Sequence, residues 1–169
     1  MVALKGKGNH FTVAGNHSST EIQAVVLLNQ LKRLPEIIKV RRKAAEYLNE
    51  RFREVQEIMP CPLDTNEIQG TYHLYLLQLI PDKLKGDIQD FKQKITNRGI
   101  VQIPHFAPLY RFSYLKQLGY DVQKMKKSCP NAEEAFLHRF THLPLYPLTG
   151  DQLRYMADGV IASVKEMNK

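Results

Sequence analysis

The chain has 169 residues, 43% hydrophobic and 24% charged, enough for one globular domain and too few for two ordinary ones. Nine Gly and nine Pro exclude a collagenous or low-complexity chain, and no apolar run reaches the roughly 18 residues of a membrane span. Lys and Arg total 24 against 17 Asp and Glu, a formal charge of +7 that by itself fits nucleic acid, an anionic substrate or no specific partner.

Residues 1–13 read as a flexible lead. The first twenty residues are basic at Lys5 and Lys7 but lack the apolar core of a secretory signal, so a cytoplasmic address is expected. Ser18 to Glu21 and Thr20 to Gln23 then spell two overlapping capping boxes ahead of an apolar series, which predicts a helix start. Leu27, Leu31, Leu34, Ile38, Ala45, Leu48, Phe52 and Val55 follow at steps of three and four, except where Arg41 occupies the stripe. That period predicts a long helix over 18–57 with one buried face. Pro35 either kinks this helix or begins a second one, because it lacks an N–H and clashes with the carbonyl of Leu31. Between Lys32 and Lys43 six basic residues face a single acid, Glu36. A solvated or subunit-facing helix side accounts for this run, with a phosphate-binding stripe as the alternative.

A small α/β domain is expected over 70–169. Thr71 to Ile80 is aromatic and apolar enough for a largely buried strand, closed by Pro81. Asp82 can cap a helix that places Leu84, Ile88, Phe91 and Ile95 on one side, and Gly99 suits the left-handed residue that stops it. Ile100 to Ile103 reads as a short strand. A loop with Pro104 and Pro108 follows, then a short helix around Phe112 to Leu118, a basic irregular stretch, and a helical segment capped by Asn131 with Glu134. Leu143 to Pro147 reads as extended, and Thr149 with Gln152 caps a last helix whose face is Leu153, Met156, Val160, Ile161, Val164 and Met167. The order gives an α/β (α+β) two-layer domain with a small sheet covered by helices.

Six histidines are candidates for chemistry. His138 and His142 sit four residues apart and can share a helix face, but the acid of an HExxH motif is absent, so no metal site is expected. His73 reads as a hydrogen-bonded core or interface residue within its strand. His105 follows a strand end in a proline-framed loop that also offers the phenol of Tyr110 and the guanidinium of Arg111. Arg111 can grip a phosphate or carboxylate, Tyr110 can pack on a substrate ring, and packing alone is the alternative for this loop. Cys61 and Cys129 are 68 residues apart, which suits reduced thiols. No GxSxG, GxGxxG or Walker pattern occurs, so no catalytic residue is assigned.

Read in order, Gly15-Asn16, Glu21-Ile22-Gln23-Ala24, Gln30-Leu31, Leu34 and Arg41-Arg42 resemble the C-terminal part of the DegT/DnrJ/EryC1/StrS family of pyridoxal-phosphate-dependent sugar aminotransferases. The resemblance continues through Tyr72-His73-Leu74-Tyr75, Arg98-Gly99-Ile100, His105 to Tyr110, Cys129 to Glu134 and Leu143 to Thr149. It implies the small C-terminal domain of a type I aminotransferase fold, with a small, mainly antiparallel sheet covered by helices and with 18–57 as the long kinked N-terminal helix connecting it to the large cofactor domain. The family's Schiff-base lysine, the acid that pairs with the pyridine nitrogen and the ring-stacking residue lie in the large cofactor domain. The chain alone is therefore expected to bind no pyridoxal phosphate and to be inactive. Lys5 and Lys7 lie too close to Gly15-Asn16 to be that lysine by the family's spacing.

Asn16 matches the family asparagine that reaches the cofactor phosphate of the neighbouring subunit, and His105, Tyr110 and Arg111 match the segment near the substrate entrance. The family's turn tyrosine is Ala14 here, and His17-Ser18-Ser19 also departs from its pattern. The implied partners are a cofactor domain, a second copy in a homodimer, a keto-sugar substrate and a glutamate or glutamine donor, with nucleic acid and membrane not expected. A stand-alone binding module using the basic helix, or part of a non-aminating sugar dehydratase, are the rival readings.

Overall fold

The computed structural model describes residues 18–62, 64–65, 67–102 and 107–168. The chain divides after Ile37 into two units, Met1–Ile37 and Ile38–Lys169. One helix, α1 (Glu21–Phe52), runs through this division with Pro35 inside it. The Thr20–Gln23 box forms at its start: Thr20 N donates to Gln23 Oε1 at 2.9 Å and Gln23 N to Thr20 Oγ1 at 3.3 Å.

In the first unit the apolar stripe of α1 is open. Leu27 is 62% and Leu31 61% exposed, and Leu34 is also exposed. The burial expected along the whole seam is met only in the second unit, where Ala45, Leu48 and Phe52 are buried. Helical period states which face seeks cover and is silent on what covers it.

The second unit is built on a three-stranded antiparallel sheet in the order β1 (Ile58–Met59), β2 (Leu74–Leu79), β3 (Phe140–Pro144). Ile58 faces Leu79, and Tyr75 faces Leu143. Alternation along β2 buries Tyr75, Leu77 and Leu79. They join one core with Leu48 and Phe52 of α1, Phe91 and Ile95 of α2 (Ile88–Asn97), and Val160 and Val164 of α6 (Gly150–Met167). Each such fully buried side chain contributes about 1.5–3 kcal/mol relative to exposure.

β2 starts three residues later than the sequence suggests. Tyr72 has φ +46°, a left-handed conformation that ends the extended run, and its hydroxyl donates to Asp64 Oδ1 at 2.9 Å. His73 consequently lies ahead of the strand and is exposed in this chain, a correction to its expected place within the strand and to the core alternative. The cap of α2 also shifts. Asp82 falls in a 3₁₀ turn, Pro81–Lys83, and Asp87 is the N-cap, accepting from Gln89 N and Asp90 N while Asp90 accepts from Asp87 N.

The expected strand at Ile100 is absent among the described residues 100–102. Gly99 at φ +70° closes α2 in a Schellman arrangement, with Gly99 N donating to Thr96 O at 2.8 Å and Ile100 N to Ile95 O at 3.0 Å. The amide that a strand would need is already used by the helix end. Ile100 is buried in the same core cluster as Ile95.

Between α2 and β3 come a 3₁₀ turn, Leu109–Arg111, and the short helices α3 (Ser113–Gln117), α4 (Val122–Lys127) and α5 (Pro130–Glu134). Cys129, not Asn131, is the N-cap of α5, with Pro130 in its first turn, and a π turn over Ala135–Arg139 leads into β3. His138 lies in that turn and His142 in β3, so they share no helix face. Thr149 caps α6 through the expected box with Gln152.

Candidate functional site

The loop singled out from the sequence is described from Ala107 onward; His105 and Asn16 lie outside the described residues. Pro108, with φ near the value its ring imposes, sets up the 3₁₀ turn, in which Arg111 N donates to Pro108 O at 2.8 Å and Phe112 N to Leu109 O at 3.0 Å. The turn brings Tyr110 and Arg111 together but sends Tyr110 inward, where it is 9% exposed.

Arg111 is already engaged by a carboxylate of the same chain. Its Nε donates to Glu133 Oε1 at 2.9 Å and its Nη2 to Glu133 Oε2 at 2.7 Å, a bidentate pair. The guanidinium also sits 5.1 Å from the centroid of the Phe136 ring. Lys126 Nζ of α4 approaches Glu133 Oε2 at 3.2 Å. Arg111, the buried carboxyl's nearest cation, holds Glu133 well below the usual carboxylate range, at about 2, with Tyr110 and Lys126 adding to the effect and burial opposing it. Burial, then the neighbouring carboxylate, pushes the Tyr110 phenol up, although its buried hydroxyl has no partner in hydrogen-bonding geometry.

Sequence reasoning missed Glu133. It stands 22 residues from Arg111, beyond any local spacing rule, and its neighbour Glu134 is the acid that the sequence pattern offers as the capping partner. A guanidinium suited to a ligand carboxylate is equally suited to an internal one.

A second polar cluster holds Arg42 of the basic helix run. Its Nε donates to Gly70 O at 3.0 Å and lies 3.5 Å from Asp64 Oδ2. Asp64 accepts from Gly70 N at 2.8 Å, which with the Tyr72 hydroxyl lowers its carboxyl. Burial, followed by Asp64, pushes the Tyr72 phenol up to about 12. Arg42 thus ties α1 to the segment before β2.

A cavity of about 440 Å³ is lined by Gly99, Ile100, Val101, Pro144, Tyr146 and neighbouring α6 residues, with no lysine or arginine. A polar groove between α2 and the end of α6 does hold Lys85, Lys94, Asp90 and Glu166, but Met167 is its only large apolar side chain. Neither of these two joins a reactive amine, a phosphate cradle and a flat wall for a pyridine ring; a third cavity, of about 340 Å³, is lined by Lys43, Arg154, Tyr47 and Tyr146 among others. Among the described residues no three His, Cys, Asp or Glu side chains could hold a metal ion, and no helix is long and apolar enough to cross a membrane. Cys61 and Cys129 are free.

The family model of the DegT/DnrJ/EryC1/StrS aminotransferase family matches residues 4–163. The uncharacterized protein MJ1066 of Methanocaldococcus jannaschii is 30% identical over 152 residues, 89% of this chain and 38% of that protein. The spore coat polysaccharide biosynthesis protein SpsC of Bacillus subtilis is 29% identical over 88% of this chain and 36% of its own length. GDP-perosamine synthase of Vibrio cholerae is 26% identical over 86% and 37%. The chain therefore spans little more than a third of the length of these relatives. Among solved structures, the aminotransferase from Psychrobacter cryohalolentis superposes with TM-score 0.77 at 16% identity, over 99% of this chain and 44% of that one. The aminotransferase TlmJ from Streptoalloteichus hindustanus superposes with TM-score 0.74 at 24% identity, over 89% and 38%.

Proposed function

The chain belongs to the DegT/DnrJ/EryC1/StrS aminotransferase family, whose members depend on pyridoxal phosphate, and we propose that it forms the C-terminal part of an aminotransferase acting on keto-sugars. The observation that carries this reading is the family match along nearly the whole chain, joined by superposition on 38% and 44% of the length of two aminotransferase structures. The names of SpsC and GDP-perosamine synthase support a sugar as the substrate class.

On this reading the Schiff-base lysine belongs to a separate large cofactor domain, and these 169 residues are catalytically silent alone. Asn16 reaches the cofactor phosphate across a homodimer interface, where an amide donor suits a phosphate oxygen. His105, Tyr110 and Arg111 belong to the wall of the substrate entrance, glutamate or glutamine gives the amino group, and the enzyme works in the cytoplasm. The rival basic-helix module loses support because Arg42 is engaged by Gly70 and Asp64.

The test is complementation. The purified chain is mixed with a separately produced large cofactor domain of the family, pyridoxal phosphate, a nucleotide-linked keto-sugar and glutamate. Amino-sugar formation that requires both polypeptides is expected. A yellow chain that alone fixes pyridoxal phosphate to one of its lysines under borohydride would overturn the silent reading.

A further inference from the structure

The loop that carries the proposed substrate residues is fastened at both ends to one continuous stretch of chain. On its N-terminal side, Thr141 Oγ1, 1% exposed in β3, donates to Gln102 Oε1 at 3.1 Å. On its C-terminal side, Arg111 makes its two parallel bonds to Glu133. Glu133 and Thr141 belong to α5 and β3, joined directly by the π turn, and Thr141 pairs with Leu77 in the sheet. The central sheet therefore reaches the loop through Gln102 and through Arg111.

The C-terminal fastening is directional as well as electrostatic. A lysine would meet a carboxylate as a point charge, whereas a planar fork making two bonds fixes the angle of the guanidinium. The Phe136 ring lies within 5.1 Å of that guanidinium, Lys126 holds the same carboxylate oxygen from α4, and Tyr110 is buried beside it. Glu133 itself is 9% exposed, out of direct reach of a ligand in solvent. Building on the substrate-wall reading above, we infer that Glu133 is a positioning residue: it sets the orientation of Arg111 and, through the turn, of Tyr110, leaving Thr141 to fix the opposite end of the loop.

Hydrogen exchange in the full 169-residue chain tests this directly. Glu133→Gln and Arg111→Lys are expected to speed exchange of the Arg111 and Phe112 amides by ~10-fold, with β2 amides unchanged. Glu134→Gln, which alters an exposed acid paired with Arg139, is the control and is expected to leave both amides alone. The Arg111 side-chain Nε–H resonance should move in Glu133→Gln and stay in the control. If these amides keep wild-type exchange and that resonance does not move, the inference is wrong. Should Glu133→Gln fail to fold, Arg111→Lys decides by its amides alone.

In the reconstituted enzyme, Glu133→Gln is expected to raise KM for the keto-sugar by ~10-fold with kcat within about twofold. A fall in kcat with KM unchanged would overturn the positioning role. If no reconstituted enzyme forms, the substrate reading is what fails, and exchange in the chain still decides the role of Glu133.

Discussion

Removing a single oxygen from the core, by Tyr75→Phe, should destabilise the domain by about 1–2 kcal/mol, although every apolar contact stays in place. Tyr75 is wholly buried in β2, its ring edge-on to Phe52 with centroids 6.0 Å apart, and its hydroxyl donates to Asn49 Oδ1 of α1 at 2.6 Å. Asn49 in turn donates to Cys61 O at 2.6 Å, so one asparagine connects the helix, the central strand and the segment after β1. Burial keeps the Tyr75 phenol well above its ordinary range, which makes it a donor at all working pH values. The phenylalanine ring keeps the apolar term and deletes the hydrogen bond. Asn49 Oδ1 is then left buried without its donor, and the cost of an orphaned acceptor, about 1–3 kcal/mol, sets the scale. For a domain of this size that corresponds to a fall in Tm of about 3–6 °C. Urea unfolding followed by far-UV circular dichroism should show a lower midpoint at an unchanged slope. Stability within about 0.3 kcal/mol of wild type would show that Asn49 finds another donor and would refute the argument.

Acid stability follows from Glu133. Its folded carboxyl is depressed to about 2, below the ordinary value of 4.5, so its contribution is present above pH 4.5 and is lost as the pH falls toward 2. Wild type should therefore lose stability over that window more steeply than Glu133→Gln, as read from thermal melts across pH; parallel profiles would count against the pairing with Arg111. Thr149→Ala removes the side-chain acceptor of Gln152 N and should lower stability by about 1 kcal/mol in urea unfolding. Gly99→Ala meets no atom within 4 Å but must hold φ +70°, so a loss of about 1 kcal/mol is expected in the same assay. Gly99→Asn, a residue that tolerates this conformation, should lose less.

What the sequence displays and what it conceals separate along the range of the interactions. The Thr20–Gln23 and Thr149–Gln152 boxes and the Gly99 stop were legible because each involves partners within a few residues. The same locality misplaced the cap of α2, since Asp82 and Asp87 both precede apolar residues and only Asp87 has an acid three positions on. Ile100 shows two local preferences in competition: its side chain suits a strand, but the Schellman end of α2 takes its amide first. Arg41 and Arg42 read together as surface charge, while Arg42 folds back on Gly70, 28 residues away. Arg111 presents the sharpest case. Its guanidinium reads as a group that can grip a phosphate or carboxylate of a ligand, and within the chain it is engaged by Glu133, which no spacing rule couples to it. The stripe of α1 is the converse, an apolar face fully legible in the sequence that the described residues of its own unit leave exposed at Leu27 and Leu31. Local rules thus identify what each side chain seeks, and long-range contacts decide whether this chain supplies it: Glu133 answers Arg111, and the described part of the first unit leaves Leu27 and Leu31 without cover.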